Sequence, residues 1–371
     1  MKVLHVIPTL EQGGAERLLA DLCDHTSDST EHVIVTLFGN VFFKPRRAAV
    51  YTIGFPRQVS TGGIRQVLRA LWRLRRTVAA HKPDIVHCWL YYGNVLSLLL
   101  VGVAPKIIWS IHNTTLPKNR PVLQCAHWLS RLISESIPDR IVYCAATARE
   151  LHEDYGYSAA ASLVIPNGIC IATFRPREEC RQDIRASYGL KVDQVVIGII
   201  GRLDLQKNVG LIAAAVARAR SRLGAFKLLF AGRGADPENA TLAELLTSFG
   251  LLDDSILLGE VSGVERYINA ADIIALGSSY GEALPMILIE AAVCEKAIVA
   301  TRLGDINALG LPADSIVPPE VEPFAEALVR EARAWRDGSR VLTRAHIART
   351  LSDTLSIDKC AKAYEQVYRS L

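Results

Sequence analysis

Two carboxylates and a helix start lie together in the stretch Ser278-Ser279-Tyr280-Gly281-Glu282-Ala283-Leu284-Pro285-Met286-Ile287-Leu288-Ile289-Glu290. The apolar run Ile273 to Leu276 reads as a buried strand, and Pro285 pre-sets the first turn of a helix whose apolar residues continue to Val293. Unsatisfied N–H groups at such a helix start, together with the helix dipole, favour an anion such as phosphate. Glu290 follows Pro285 by about 7–8 Å along a helix rising ~1.5 Å per residue, roughly the reach from a diphosphate to a ribose. Glu282 and Glu290 therefore bracket a phosphate-sized site. The plainer reading makes Glu282 a turn cap and Glu290 an ordinary polar residue on a buried helix, and the spacing alone does not separate the two.

A second constellation follows the apolar run Val195 to Ile200, in Gly201-Arg202-Leu203-Asp204-Leu205-Gln206-Lys207-Asn208. In a glycine-led loop, Arg202 with its planar fork and Lys207 as a point charge can converge on one diphosphate. Solvated surface charges are the alternative. Near the N-terminus, Gly13-Gly14 separates a first strand ending at Ile7 from a helix through Leu18, Leu19 and Leu22. Such glycines let backbone approach a ligand, though a loop needing small residues looks the same. The pattern is not G-x-G-x-x-G, so a nicotinamide dinucleotide is a poor fit. His112 ends a strand that begins at Lys106, where open α/β sheets bind ligands. His87 closes the preceding strand and is a second candidate for the same cleft.

The elements that must hold these groups alternate as strand and helix along the chain. His32 to Leu37, Asp84 to Cys88 and Arg140 to Cys144 read as strands between helical stretches, the pattern of parallel, doubly wound α/β sheets. The length of 371 residues suits two domains. Asn167-Gly168 and Pro176 are turn residues that mark a linker between them. A hydrophobic fraction of 50% with 22% charged residues describes a globular chain. The eight cysteines are scattered with no metal-ligand spacing, as expected of small buried residues in a reducing compartment. The N-terminus runs into a strand without a signal-peptide pattern, and the longest apolar run, around Val95 to Ala104, is too short for a membrane span. The expected location is cytoplasmic.

The net charge of +4 is uneven, with 18 Lys/Arg against 12 Asp/Glu in residues 1–170. Gly63 to Ala80 reads as a basic amphipathic helix. Ile64, Val67, Leu68, Leu71, Leu74 and Val78 share one arc, and Arg65, Arg69, Arg73 and Arg76 the opposite one. A core face with solvated charges is the default; the alternative is docking on an anionic membrane surface, with Trp72 and the Phe42-to-Arg47 patch assisting. The charge is local and no recognition motif is present, so nucleic acid is not an expected partner.

The form S-x-x-x-E-A-L-P-x-x-x-x-E-A, followed by Ala297 to Thr301, resembles the GT4 family of retaining glycosyltransferases. The resemblance runs along the chain in the family's order. It takes in Gly13-Gly14-Ala15-Glu16-Arg17, the S-x-H-N of Ser110 to Asn113, Ile165-Pro166-Asn167-Gly168-Ile169, Gly201 to Asn208 and the Ala231-to-Gly234 turn. It implies the GT-B fold: two Rossmann-like doubly wound domains facing a central cleft. Residues 1–172 would bind the acceptor, with the C-terminal helix 356–371 packing back on them, and 173–355 the nucleotide-sugar. It implies retaining transfer from a UDP- or GDP-sugar to an acceptor hydroxyl, of a glycan or lipid-linked glycan; docking of the basic helix would place the chain peripherally on the inner face of the cytoplasmic membrane. Glu282 would contact sugar hydroxyls, Glu290 the ribose, and His112 would orient the sugar. Gly13 and Gly14 would approach the diphosphate and the segment with Gly259 would receive the base. Arg202, Lys207 and the N–H groups of Ala283, Leu284 and the Pro285 turn would hold the leaving charge, with no metal or other cofactor required. Ala283 and Leu284 stand where Gly-Phe is commoner in the family, which leaves the donor sugar open. A GT-B epimerase or phosphorylase, or an inactive sugar-nucleotide-binding scaffold subunit, are the alternatives.

Overall fold

The computed structural model describes residues 1–56, 63–115 and 120–371. They form two compact units, Met1–Gly168 with Ile357–Leu371, and Ile169–Ser356. In the first, β1 (Lys2–Ile7), α1 (Gly14–His25), β2 (Glu31–Thr36), β3 (Ala48–Thr52), α2 (Ile64–His81), β4 (Ile85–Trp89) and α3 (Leu90–Leu96) are followed by β5 (Lys106–Ile111), α4 (Pro121–Ile133), β6 (Arg140–Tyr143), α5 (Ala146–Asp154) and β7 (Ser162–Val164). The strands pair in parallel in the order β3-β2-β1-β4-β5-β6-β7. Parallel strands carry crossover helices on both faces, so they read as continuous apolar runs; every residue of Ile85–Trp89 is buried. Connections step outward from β1 on one side and from β4 on the other. The loops after β1 and β4 therefore diverge and leave a crevice at their C-terminal ends.

The second unit contains α6 (Glu178–Ser187), β8 (Val195–Ile200), α7 (Val209–Leu223), β9 (Phe226–Ala231), α8 (Ala240–Ser248), β10 (Ser255–Leu257), α9 (Val264–Ala270), β11 (Ile273–Leu276), α10 (Met286–Val293), β12 (Ala297–Thr301), β13 (Ile316–Val317), α11 (Val321–Asp337) and α12 (Val341–Thr354). Its sheet is parallel in the order β10-β9-β8-β11-β12-β13, with the divergence between β8 and β11. Ile197, Val216, Leu228, Phe230, Phe324 and Leu328 share one core cluster that joins the sheet to α7 and α11. The opposite end of β11 is anchored by Asp272, which is 1% exposed and accepts the Val196 N–H at 2.8 Å. Arg181 and Arg185 pair with that carboxylate at 2.6 and 3.3 Å. The chain then rejoins the first unit as α13 (Ile357–Arg369), which packs on α1 and accepts the Ser27 N–H and Thr30 hydroxyl on Glu365.

The basic helix forms as α2, but only part of its apolar arc is core. Ala70, Leu74 and Val78 are buried, whereas Ile64, Leu68 and Trp72 are 65%, 59% and 59% exposed. The arc consists of two adjacent ridges. Ile64, Leu68 and Trp72 follow an i, i+4, i+8 row that turns away from the sheet, next to the arginines.

Candidate active site

In the second unit the diverging loops after β8 and β11 are stitched together. Ser279 N–H donates to Gln206 O at 2.8 Å and Asn208 Nδ2 to Ser279 Oγ at 2.8 Å. Asn208 also caps α7, accepting from Leu211 N–H. Asp204 accepts the N–H groups of Gln206 and Lys207 at 3.1 and 3.3 Å, an Asx turn that aims both side chains.

The glutamate of the β11 loop takes up what those side chains present. Lys207 Nζ lies 2.6 Å from Glu282 Oε1, and that oxygen also accepts from Ser278 Oγ at 2.8 Å and Gln206 Nε2 at 3.4 Å. Arg202 Nε is 2.6 Å from Asp204. Each cation of the loop is thus paired with a carboxylate, a feature that spacing alone does not reveal. Thr301, at the end of β12, donates to Ser278 O at 2.6 Å and steadies the same turn. Gly304 sits under it at φ +56°, where a Cβ would meet Ala283 O at 2.3 Å and Glu282 O at 2.4 Å.

Ala283, Leu284 and Pro285 are buried between Glu282 and α10, and Pro285 is the residue before the helix rather than its first. Glu290 is 5% exposed on the second turn of α10. Gly259 gives its N–H to Ala235 O and accepts from Gly232 N–H, so its own amide is committed to the loops around it. Missing from the sequence-derived set were Asp204, Gln206, Asn208, Ser278, Ser279 and Thr301. Asn208 just before an apolar helix, and Asp204 two residues before a turn amide, carried a readable capping signal. Ser278 and Thr301 carried none, because their partners arrive through the sheet.

In the first unit, Gly13 precedes α1 and Gly14 opens it, exposed; the Glu16 carboxylate folds back so that a Cβ on Gly13 would meet Oε2 at 2.2 Å. His112 follows β5. Neither ring nitrogen has a hydrogen-bond partner, although both are sealed from solvent, and the buried Oδ1 of Asn167 is likewise unpartnered. Burial lowers the His112 pKa to about 4, with Asn167 acting in the opposite sense, so the ring is neutral at physiological pH. His87 does not line a cleft. It is fully buried inside β4, with Nδ1 on Tyr368 OH at 2.9 Å and Nε2 on Ser110 Oγ at 2.7 Å, because the strand runs on to Trp89 and turns His87 toward α13.

His5, Cys23 and His32 place three ligand-type atoms within 4.8 Å of one another. Hydrogen bonding gives that cluster another use. Trp89 Nε1 donates to His5 Nδ1 at 3.1 Å, so the His5 proton is on Nε2, facing His32 Nδ1 at 2.9 Å. A metal on Nε2 would require the proton on Nδ1, against the indole N–H.

Residues 12–172 match the model of Glycosyltransferase Family 4, and residues 194–333 that of Glycosyl transferases group 1. The chain is a glycosyltransferase. The glycosyltransferase is 24% identical over 367 residues to Bacillus subtilis (strain 168) EpsF, a protein named as a glycosyltransferase, spanning 90% of this chain and 88% of that one. Among solved structures it superposes on Anabaena HepE in complex with UDP-glucose with a TM-score of 0.84 at 19% identity, covering both chains fully. It matches WaaG, a glycosyltransferase involved in lipopolysaccharide biosynthesis, with a TM-score of 0.75 at 13% identity over 99% of each chain. The two parallel, Rossmann-like units of the glycosyltransferase are those of the GT-B fold.

Proposed function

We propose that the enzyme transfers a sugar from a UDP-sugar, with a GDP-sugar as the alternative donor, to a hydroxyl of a lipid-linked glycan, with retention at the anomeric carbon. The observation that carries this reading is the contact of Lys207 with Glu282 between the loops where β8 and β11 diverge, with Arg202 on the same loop as Lys207. UDP is favoured because the HepE structures hold UDP-glucose, UDP with glucose, or UDP.

When the donor binds, Lys207 exchanges Glu282 for a phosphate oxygen and Arg202 turns its free guanidinium nitrogens to the same group. The C1–O bond breaks with its electron pair leaving on the nucleoside diphosphate, whose growing charge these cations and the N–H groups at the start of α10 neutralise. The charge is held by protein cations, so transfer needs no divalent metal, and EDTA leaves the rate unchanged. Glu282 is a poor nucleophile, since three donors converge on one of its oxygens. It orients sugar hydroxyls instead, Glu290 holds the ribose, and His112 accepts or donates to the sugar as a neutral imidazole. The acceptor oxygen attacks C1 on the face the phosphate leaves, and its proton passes to the departing phosphate oxygen.

Among the described residues no helix is long and apolar enough to cross a membrane. The exposed ridge of Ile64, Leu68 and Trp72, bordered by Arg65, Arg69, Arg73 and Arg76 on a helix without acidic residues, fits an anionic bilayer surface at the inner face of the cytoplasmic membrane. Nucleotide release from UDP-, GDP- and ADP-sugars, measured with and without a lipid-linked acceptor, tests the reaction. Acceptor-dependent release and an anomeric configuration kept in the product are expected; binding without release would overturn the enzymatic reading. Cosedimentation with phosphatidylglycerol vesicles, lost in an Ile64→Ser, Leu68→Ser, Trp72→Ser variant, tests the surface.

A further inference from the structure

We propose that Trp89 is the positioning residue for His112, holding the imidazole in one plane through a ring stack that a buried hydrogen-bond relay keeps from sliding. This rests on the role given to His112 above. The two rings are nearly parallel, 8° apart with centroids at 5.2 Å. Trp89 is 0% exposed, and its indole also stacks on His87 at 4.6 Å and 30°. Stacked faces resist tilting but permit in-plane rotation. What fixes rotation is the indole edge, whose Nε1 donates to His5 Nδ1 at 3.1 Å.

Each donor in the relay sets the next one. His5 Nδ1 accepts, so Nε2–H donates to His32 Nδ1 at 2.9 Å; His32 Nε2–H then donates to Thr26 Oγ1 at 2.7 Å, whose hydroxyl is free to turn to Cys23 O at 3.5 Å. Both imidazoles are thereby neutral and in a single tautomer. Reversing either would set two N–H groups against each other, so the relay has one low-energy direction. Each group is satisfied within it, in contrast to His112, whose two nitrogens have no protein partner.

The backbone at this junction supports the same reading. Leu90, the residue after Trp89, adopts φ +62°, a conformation that a branched side chain takes up only when its surroundings over-determine it. Ring contacts from His5, His87, His112 and Tyr364 hold the indole that precedes it. Asn167 is the polar neighbour of His112, and the strand register that brings the ring to the indole pairs Trp89 with Ser110.

The test compares Trp89→Phe, which keeps a ring but lacks the N–H, with Trp89→Leu, which lacks the stack, and with Thr26→Val, which removes only the far end of the relay. Transfer kinetics are read together with 15N spectra of labelled histidines. The expected result is a kcat lowered about tenfold in Trp89→Phe and more in Trp89→Leu, with the donor KM within twofold of wild type, and His112 resonances displaced in both. Thr26→Val shifts the His5 and His32 tautomer signals and lowers kcat less. Unchanged kcat with an unchanged His112 spectrum in folded Trp89→Leu would overturn the proposal. So would a loss confined to KM. His112→Gln separates the two layers: if that variant transfers sugar at the wild-type rate, the role of His112 fails, whereas the spectra still report whether Trp89 positions the ring.

Discussion

Glu282→Gln should strengthen nucleotide binding while weakening transfer. The side chain keeps its volume and its contact with Ser278, but it no longer competes for Lys207, whose Nζ now sits 2.6 Å from Oε1. A phosphate oxygen taken up by the same ammonium would lie about 2.8 Å from it, hence about 5 Å from the carboxylate. Two unit charges at about 5 Å repel by about 3 kcal/mol at an effective dielectric near 20. The side chains are 19% and 10% exposed, so solvent and counterions reach the crevice. A net gain of about 1 kcal/mol on removing the charge, roughly five- to tenfold in Kd, is then expected. Titration calorimetry with UDP on both proteins measures it, and the gain should shrink in high salt. Transfer should fall by roughly a hundredfold, because the sugar loses an ionised hydrogen-bond acceptor present in the transition state. Equal or weaker UDP binding by the variant would refute the competition between carboxylate and phosphate for Lys207.

Other perturbations read out the scaffold beneath the site. Gly304→Ala places a methyl group against Ala283 O and Glu282 O at positive φ, so a loss of about 2 kcal/mol in chemical denaturation is expected, with transfer falling alongside; a neutral effect would show that the turn relaxes freely. Asp272→Ala leaves Arg181 and the buried Arg185 without their anion and should cost about 3 kcal/mol or more, read as a lowered Tm, whereas a drop below about 1 kcal/mol would deny that this pair anchors β11. Burial depresses the pKa of His32 and of His112 from 6.5 to about 4. The unfolded chain therefore binds their protons first, so their contribution is present above pH 6.5 and declines as pH falls toward 4. At about 1.4 kcal/mol per unit, each can withdraw up to about 3 kcal/mol. Urea titrations at pH 7 and pH 4.5 should differ accordingly, and less so in a His32→Gln variant; a flat profile would contradict the neutral relay.

Much of the fold was legible because parallel sheets write themselves as apolar runs separated by helical periods. Val195 to Ile200 and Ile273 to Leu276 are buried throughout, and the loops that leave them carry Arg202, Lys207 and Glu282. Pairing across those loops was not legible. Lys207 and Glu282 are 75 residues apart in sequence, and only the adjacency of β8 and β11 shows that they meet. Helix α2 shows the converse limit. A wheel places Ile64, Leu68 and Trp72 on the same arc as Leu74 and Val78, but how far the sheet extends under a helix is a tertiary quantity. Trp89 and the histidine relay were hidden for a similar reason, since His5, His32 and Trp89 come from three strands and no spacing connects them.

The most direct measurement is the affinity for UDP of wild type, Arg202→Ala, Lys207→Met and the double variant. If the loop after β8 holds the diphosphate, each single change costs about 1.5–3 kcal/mol, the worth of a charge-assisted hydrogen bond, and the double variant loses at least about a hundredfold in Kd. A double variant that binds UDP as tightly as wild type would place the nucleotide elsewhere and undo the assignment of this crevice.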